Sequence, residues 1–114
     1  MAIPEIIYVA GPYSKGDVAL NVRKAMEVGM KFNDAGHYAV IPHLTHFLHM
    51  VFPRPYEYWL DLDNRIIPGC TAIHRIEGES SGADKEMEFA KKLGLKILWE
   101  KLKEDYLNLI TKLS

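Results

Sequence analysis

Four short apolar runs punctuate the chain, and their spacing restricts the fold more than any other feature. Ile6–Ala10 is apolar apart from a tyrosine hydroxyl and ends at Gly11-Pro12, and residues 38–41 close at Pro42. Residues 71–76 follow Pro68-Gly69, and residues 95–99 follow Gly94. Runs of this length bounded by turn residues suit strands buried on both faces of a parallel sheet. Between them the period changes to that of a helix. Ala19, Val22, Met26 and Met30 recur at helical spacing until Ala35-Gly36. Trp59, Leu60, Asp63 and Ile67 do so until Pro68-Gly69, residues 83–93 until Gly94, and Leu102, Tyr106, Leu109 and Leu113 mark a closing amphipathic helix. Residues 43–55, rich in histidine, aromatics and proline without a clear period, read as a loop with a helical turn.

Strands alternating with helices predict an α/β fold: a doubly wound, flavodoxin- or Rossmann-like, mostly parallel sheet with helices on both faces. At 114 residues and 48% apolar content the chain has material for one core, so residues 1–114 are expected to form one domain. Ligands in such sheets bind beyond the strand C-termini. Here those ends carry residues 11–16, 42–49 and 77–82, three loops expected to meet at one crevice.

Charge removes several classes of partner. Fourteen basic and 15 acidic residues interleave to a formal charge of −1, leaving no basic stripe for duplex nucleic acid. One cysteine, Cys70, excludes an intrachain disulfide and suits a reducing compartment, with core filling as its expected role. The N-terminus lacks a basic and apolar leader pattern, and no apolar run reaches bilayer length. A cytoplasmic protein with no membrane partner is expected.

The segment from Ile76 to Glu86 leaves a strand, passes through Gly78, Ser80, Ser81 and Gly82, and enters a helix. Small residues let backbone N–H groups approach an anion, and the helix N-terminus adds partial positive charge. Glu86 is placed in the first helical turn, where that charge favours its ionised form, and an ionised carboxylate facing a pocket is a candidate nucleophile. Asp84 and Glu88 are its rivals, Asp84 fitting a capping role better and Glu88 pointing elsewhere. Gly11, Ser14 and Lys15 form a second strand-to-helix loop, which is neither a dinucleotide fingerprint nor a P-loop, with Ser14 and Lys15 as anion contacts. Asp63 and Asp61 cannot both face a pocket from one helix, and Asp63 is on the apolar-side arc. Tyr8 reads as a core aromatic whose hydroxyl needs a partner. His43, His46 and His49 are spaced by three, but no acidic or cysteine ligand completes a zinc pattern, so they are expected to line a pocket, and no metal or cofactor is expected. Phe47, Phe52, Tyr56, Tyr58 and Trp59 are able to stack on a base but read mostly as core or as a subunit interface.

Taken together, Ile7 to Tyr13, Asp63, and Ser80 to Glu86 resemble the nucleoside 2-deoxyribosyltransferase family and its relatives, the deoxynucleoside 5'-monophosphate N-glycosidases. The resemblance covers roughly residues 6 to 99. It implies that Glu86, four residues after Gly82, is the nucleophile at the anomeric carbon, that Tyr8 orients it, and that Asp63 is near the base as proton donor or anchor. Substrate contacts are expected from Gly11, Ser14, Lys15, Ser80, Ser81, Gly82 and His43. The transferases resemble one another in an aspartate six residues before the nucleophile, whereas nucleotide hydrolases carry a serine there. Ser80 removes a charge that would repel phosphate and supplies a hydroxyl donor. Asp84 stands where the family usually has a small residue, and Pro12 where a nucleotide-hydrolase relative places a serine.

The expected activity is therefore N-glycosidic cleavage of a nucleoside 5'-monophosphate by a retaining double displacement. Transfer between nucleosides and a non-catalytic nucleotide-binding module are the alternatives, and a flavin or nicotinamide protein lacks its fingerprint. The resemblance also implies a homodimer or larger homo-oligomer, with residues 47–59 and the closing helix as contact surfaces.

Overall fold

The computed structural model describes residues 3–99, and the closing helix expected through Leu102, Tyr106, Leu109 and Leu113 lies outside the described residues. Strands β1 (Ile6–Ala10), β2 (Tyr38–Val40), β3 (Ala72–Arg75) and β4 (Lys96–Trp99) form one sheet in the order β2-β1-β3-β4. Every neighbouring pair is parallel, with Tyr8 opposite Val40 on one side and Ile73 on the other. Helices α1 (Val18–Asp34), α2 (Thr45–Val51), α3 (Tyr56–Ile66) and α4 (Ser81–Leu93) complete the described chain. This is a flavodoxin-like α/β fold.

Side-chain alternation along the strands divides the core in two. Ile7 and Val9 of β1, with Ala72 and Leu98, pack against Ala25, Val28 and Phe32 of α1. Tyr8, Ala10 and Ile73 face the other way, against Ala83, Met87 and Ala90 of α4 and Ile67 of the turn after α3. Full burial of one such large apolar side chain contributes about 1.5–3 kcal/mol, so the two clusters hold the sheet between its helices. From β1 the chain winds outward to β2 through α1, and on the other side from β3 to β4 through α4. The change of winding direction opens a crevice above the C-terminal ends of β1 and β3.

The buried stripe of α1 differs from the one the sequence suggested. Val22, Ala25, Val28, Gly29 and Phe32 are buried, while Ala19, Met26 and Met30 are exposed. The helix approaches the sheet through its small residues, which leaves the longer methionines outside. Residues 43–55 are more helical than expected: a 3-10 turn at Pro42–Leu44 leads into α2. Neither α2 nor α3 contains a fully buried residue, and in α2 the apolar side chains face outward, so the periodicity that betrays a core helix is weak in α2. Helix α4 begins at Ser81, two residues earlier than the apolar pattern suggested, because Ser80 caps it by accepting from the Ala83 N–H at 3.1 Å. Asp84 does not cap the helix as expected and has a different partner.

Candidate active site

Strand alternation sends Tyr8 to the same side of the sheet as α4. On α4 the buried positions are Ala83, Glu86, Met87 and Ala90, one stripe of an amphipathic helix. Glu86 is the polar member of that stripe, and its Oε2 accepts a hydrogen bond from the fully buried Tyr8 hydroxyl at 2.5 Å. Asp63 of α3 faces the same cleft, with an Oδ1 that is buried and has no protein partner among the described residues.

Burial governs the electrostatics of this trio. It pushes Glu86 up to about 7, against the pull of the Tyr8 hydroxyl and the Arg75 charge. The sequence placed Glu86 in the first turn of its helix, favouring ionisation. With α4 starting at Ser81 it is in the second turn, where the helix dipole has faded, and desolvation wins. Asp63 also rises to about 7, first from burial and then from the Glu86 charge, with the Tyr8 hydroxyl opposing. The two carboxyls repel one another, so they titrate as a coupled pair. Burial and the two carboxylates drive the Tyr8 phenol far upward, leaving it a neutral donor.

The cleft has a volume of about 580 Å³, within the roughly 300–1,000 Å³ of small-molecule sites. All three predicted loops contribute: Gly11, Ser14 and Lys15 from the first, Pro42 to His49 from the second, and Ser80, Ser81 and Gly82 from the third. The first and third loops are held close by two glycines. A Cβ on Gly11 would be 2.9 Å from Ile76 Cβ, and one on Gly78, whose φ is +126°, would be 2.7 Å from Pro12 Cγ. Lys15 reaches across to Glu79 at 3.8 Å, an exposed pair of small energetic value.

The three histidines have separate partners. His43 is buried with Nε2 2.9 Å from the Pro12 carbonyl, so Nε2 carries the proton and Nδ1 is an unpaired acceptor among the described residues. Burial lowers its pKa, with the carbonyl contact opposing. His46 Nδ1 is 2.7 Å from the Tyr13 hydroxyl, and His49 Nδ1 accepts from Trp59 Nε1 at 2.9 Å and the Arg54 N–H at 3.2 Å. Among the described residues no three potential ligands gather into a metal site.

Sequence reasoning missed several cleft residues. Tyr56 and Trp59, read as core or interface, form a wall of the cleft, and Arg54 and Lys85 line it as well. Lys85 had a signal: it is three and four residues after Gly82 and Ser81, on the side of α4 that begins at the loop. Arg75 was missed too, although a charged residue inside an apolar strand is itself a signal. It is buried, and its guanidinium Nη2 is 2.9 Å from Asp84 Oδ1, the partner that replaces the expected cap.

An all-parallel sheet with this strand order and a crevice at its switch point defines a doubly wound α/β protein with the nucleoside 2-deoxyribosyltransferase-like fold. The chain belongs to the family described as Domain of unknown function (DUF4406), whose pattern matches residues 5–99. Among solved structures it is similar to a 2-deoxyribosyltransferase from the psychrotolerant bacterium Bacillus psychrosaccharolyticus. The two are 20% identical with a TM-score of 0.61, over 82% of this chain and 70% of that one. A comparison with curated proteins gives no significant match. No helix among the described residues is long and apolar enough to cross a membrane.

Proposed function

We propose that the chain is an N-glycosidase that cleaves the base–sugar bond of a nucleoside or deoxynucleoside 5'-monophosphate, with retention, through Glu86. The observation that carries this reading is the buried Tyr8–Glu86 hydrogen bond at 2.5 Å in a cleft that Asp63 also lines. Tyr8 holds Oε2, which leaves Oε1 free to attack the anomeric carbon. As that C–O bond forms, the C–N bond breaks, its electron pair leaves with the base, and Asp63 supplies the base with a proton. A water molecule then attacks the same carbon, Asp63 takes its proton, and the ester bond returns its electrons to Glu86 as carboxylate.

The phosphate is assigned to the N-terminus of α4. Ser80 Oγ accepts from Ala83 and its carbonyl from the Asp84 N–H, leaving the N–H groups of Ser81 and Gly82 for an anion. The Ser80 hydroxyl proton is free to join them, with Ser81, Lys85, Ser14 and Lys15 on the same cleft wall. Gly11 and His43 complete the sugar and base contacts.

A second reading, transfer of the sugar to another base, is favoured by the likeness to a solved 2-deoxyribosyltransferase. It requires a free base in place of water as the second nucleophile. A binding module would hold the same ligand without turnover. The proposal includes cytoplasmic residence and a homodimer or larger assembly, for which the exposed apolar surface of α2 is the candidate contact.

Chromatography of free base released from ribo- and deoxyribonucleosides and their 5'-monophosphates tests the reading, with Glu86→Ala alongside. Release from monophosphates that disappears in the folded variant is expected. Undiminished release from Glu86→Ala would overturn the mechanism, diversion of sugar onto an added base would select the transferase, and thermal stabilisation without release would select the binding module.

A further inference from the structure

Arg75 ends β3 on the α4 side of the sheet, with a side chain only 4% exposed. A guanidinium that deep is costly unless its donors are satisfied. Nη1 donates to the Ile76 carbonyl, and Nη2 donates to Gly78 O at 3.0 Å, Ser80 O at 3.4 Å and Asp84 Oδ1 at 2.9 Å. Nε donates to the same Asp84 oxygen at 3.3 Å, and the cation is 5.7 Å from the centre of the Trp99 ring. One side chain thus gathers three carbonyls of residues 76–80 and a carboxylate in the first turn of α4. The loop it gathers ends in Ser80, Ser81 and Gly82, which line the cleft, and the helix it grips carries Glu86.

We propose that Arg75 is a positioning residue: it ties residues 76–80 and the start of α4, the helix that carries Glu86, into one unit. The proposal rests on the glycosidase reading for its kinetic consequences; its electrostatic consequence is that the Arg75 charge favours the ionised Glu86 carboxyl, against burial. A lysine does not reproduce it, because a point ammonium cannot span acceptors on four residues as the planar fork does. Tyr8 of β1, Asp63 of α3 and Arg75 of β3 act on Glu86, with His43 of the 3-10 turn and Lys85 of α4 in the same cleft. Arg75 is the buried cation among them and acts against burial.

The test compares wild type with Arg75→Lys, Arg75→Gln and Asp84→Asn. The Glu86 carboxyl is titrated by NMR on protein carrying labelled glutamate, and steady-state kinetics are run on a monophosphate and its parent nucleoside. Arg75→Gln is expected to raise the Glu86 midpoint by at least about half a unit, since a favourable charge is lost. Arg75→Lys keeps the charge, so its midpoint stays near wild type while KM for the monophosphate rises about tenfold with kcat much less affected. Asp84→Asn raises that KM as well and does not raise the midpoint. A role in packing alone would loosen the loop in every variant, wet Glu86 and lower its midpoint. That pattern, or an unchanged KM in both Arg75→Lys and Asp84→Asn, overturns the proposal. If Arg75→Gln does not fold, the other two variants decide by the same criteria. A wild type that turns over no nucleoside or nucleotide sinks the glycosidase reading instead, and the NMR titration still decides whether the Arg75 charge acts on Glu86.

Discussion

Glu86 stands in an environment that costs the fold stability once the carboxyl ionises. Its folded-state pKa lies well above the ordinary 4.5. The native state therefore holds a proton that the unfolded chain has released. That stabilisation is fully present below about 4.5 and is lost as the pH rises through about 7. Glu86→Gln keeps an acceptor for the Tyr8 hydroxyl and removes the ionisation. Its stability relative to wild type is expected to rise by on the order of 3 kcal/mol between pH 4.5 and pH 8, measured by urea unfolding at both values. A difference that does not change with pH would mean that burial does not perturb this carboxyl. The chemical types at the site were legible in the sequence, because Tyr8, Asp63 and Glu86 carry the family resemblance. Their protonation was not, because it depends on how completely two core clusters remove water from a carboxyl, and no local pattern records that.

At the scale of elements, the proposed function makes the start of α4 decide substrate charge as well as stability. Ser80 accepts from Ala83 to cap the helix and also lines the cleft, so the two roles can be separated by substitution. Ser80→Ala removes the cap and should cost about 1 kcal/mol. Ser80→Asp restores an equally good cap but sets a negative charge where the phosphate is assigned, so unfolding stability should stay within about 0.5 kcal/mol of wild type. In the glycosidase reading, Ser80→Asp should raise KM for monophosphates at least about tenfold while sparing nucleosides, as like charges are brought together. Equal effects on both substrates would move the phosphate elsewhere. The same element shows where sequence reasoning slipped by two residues. Periodicity finds the first apolar contact at Ala83, whereas the helix begins at its cap, and a capping serine among three small polar residues is hard to single out. Helix α2 was read as no more than a helical turn for a related reason: its apolar residues face outward, so no stripe marks an inner face.

Across the whole molecule, the order of strands does what no single residue can. Winding in opposite directions from β1 and β3 brings loops distant in sequence to one crevice, and parity along β1 then points Tyr8 at α4. That much follows from alternation of strands and helices, which is why the fold and the converging loops were legible. The outer wall is different. Helix α2 lends Thr45, His46 and His49 to the cleft, yet Phe47, Leu48, Met50, Val51 and Phe52 are each more than half exposed. A run of large apolar side chains in water beside a cleft fits an interaction surface better than a monomer's exterior. A second copy of the chain is the occupant the proposed function names, since a covered α2 would hold His46 and His49 in place. Light scattering should then give at least twice the mass of one chain, and Val51→Asp should shift it to the monomer with a parallel loss of turnover. Because α2 buries no residue of its own, that substitution should cost the monomer fold no more than about 0.5 kcal/mol. A wild type that is monomeric and fully active would leave the α2 surface without this role, and the cleft would have to keep its shape from within one chain.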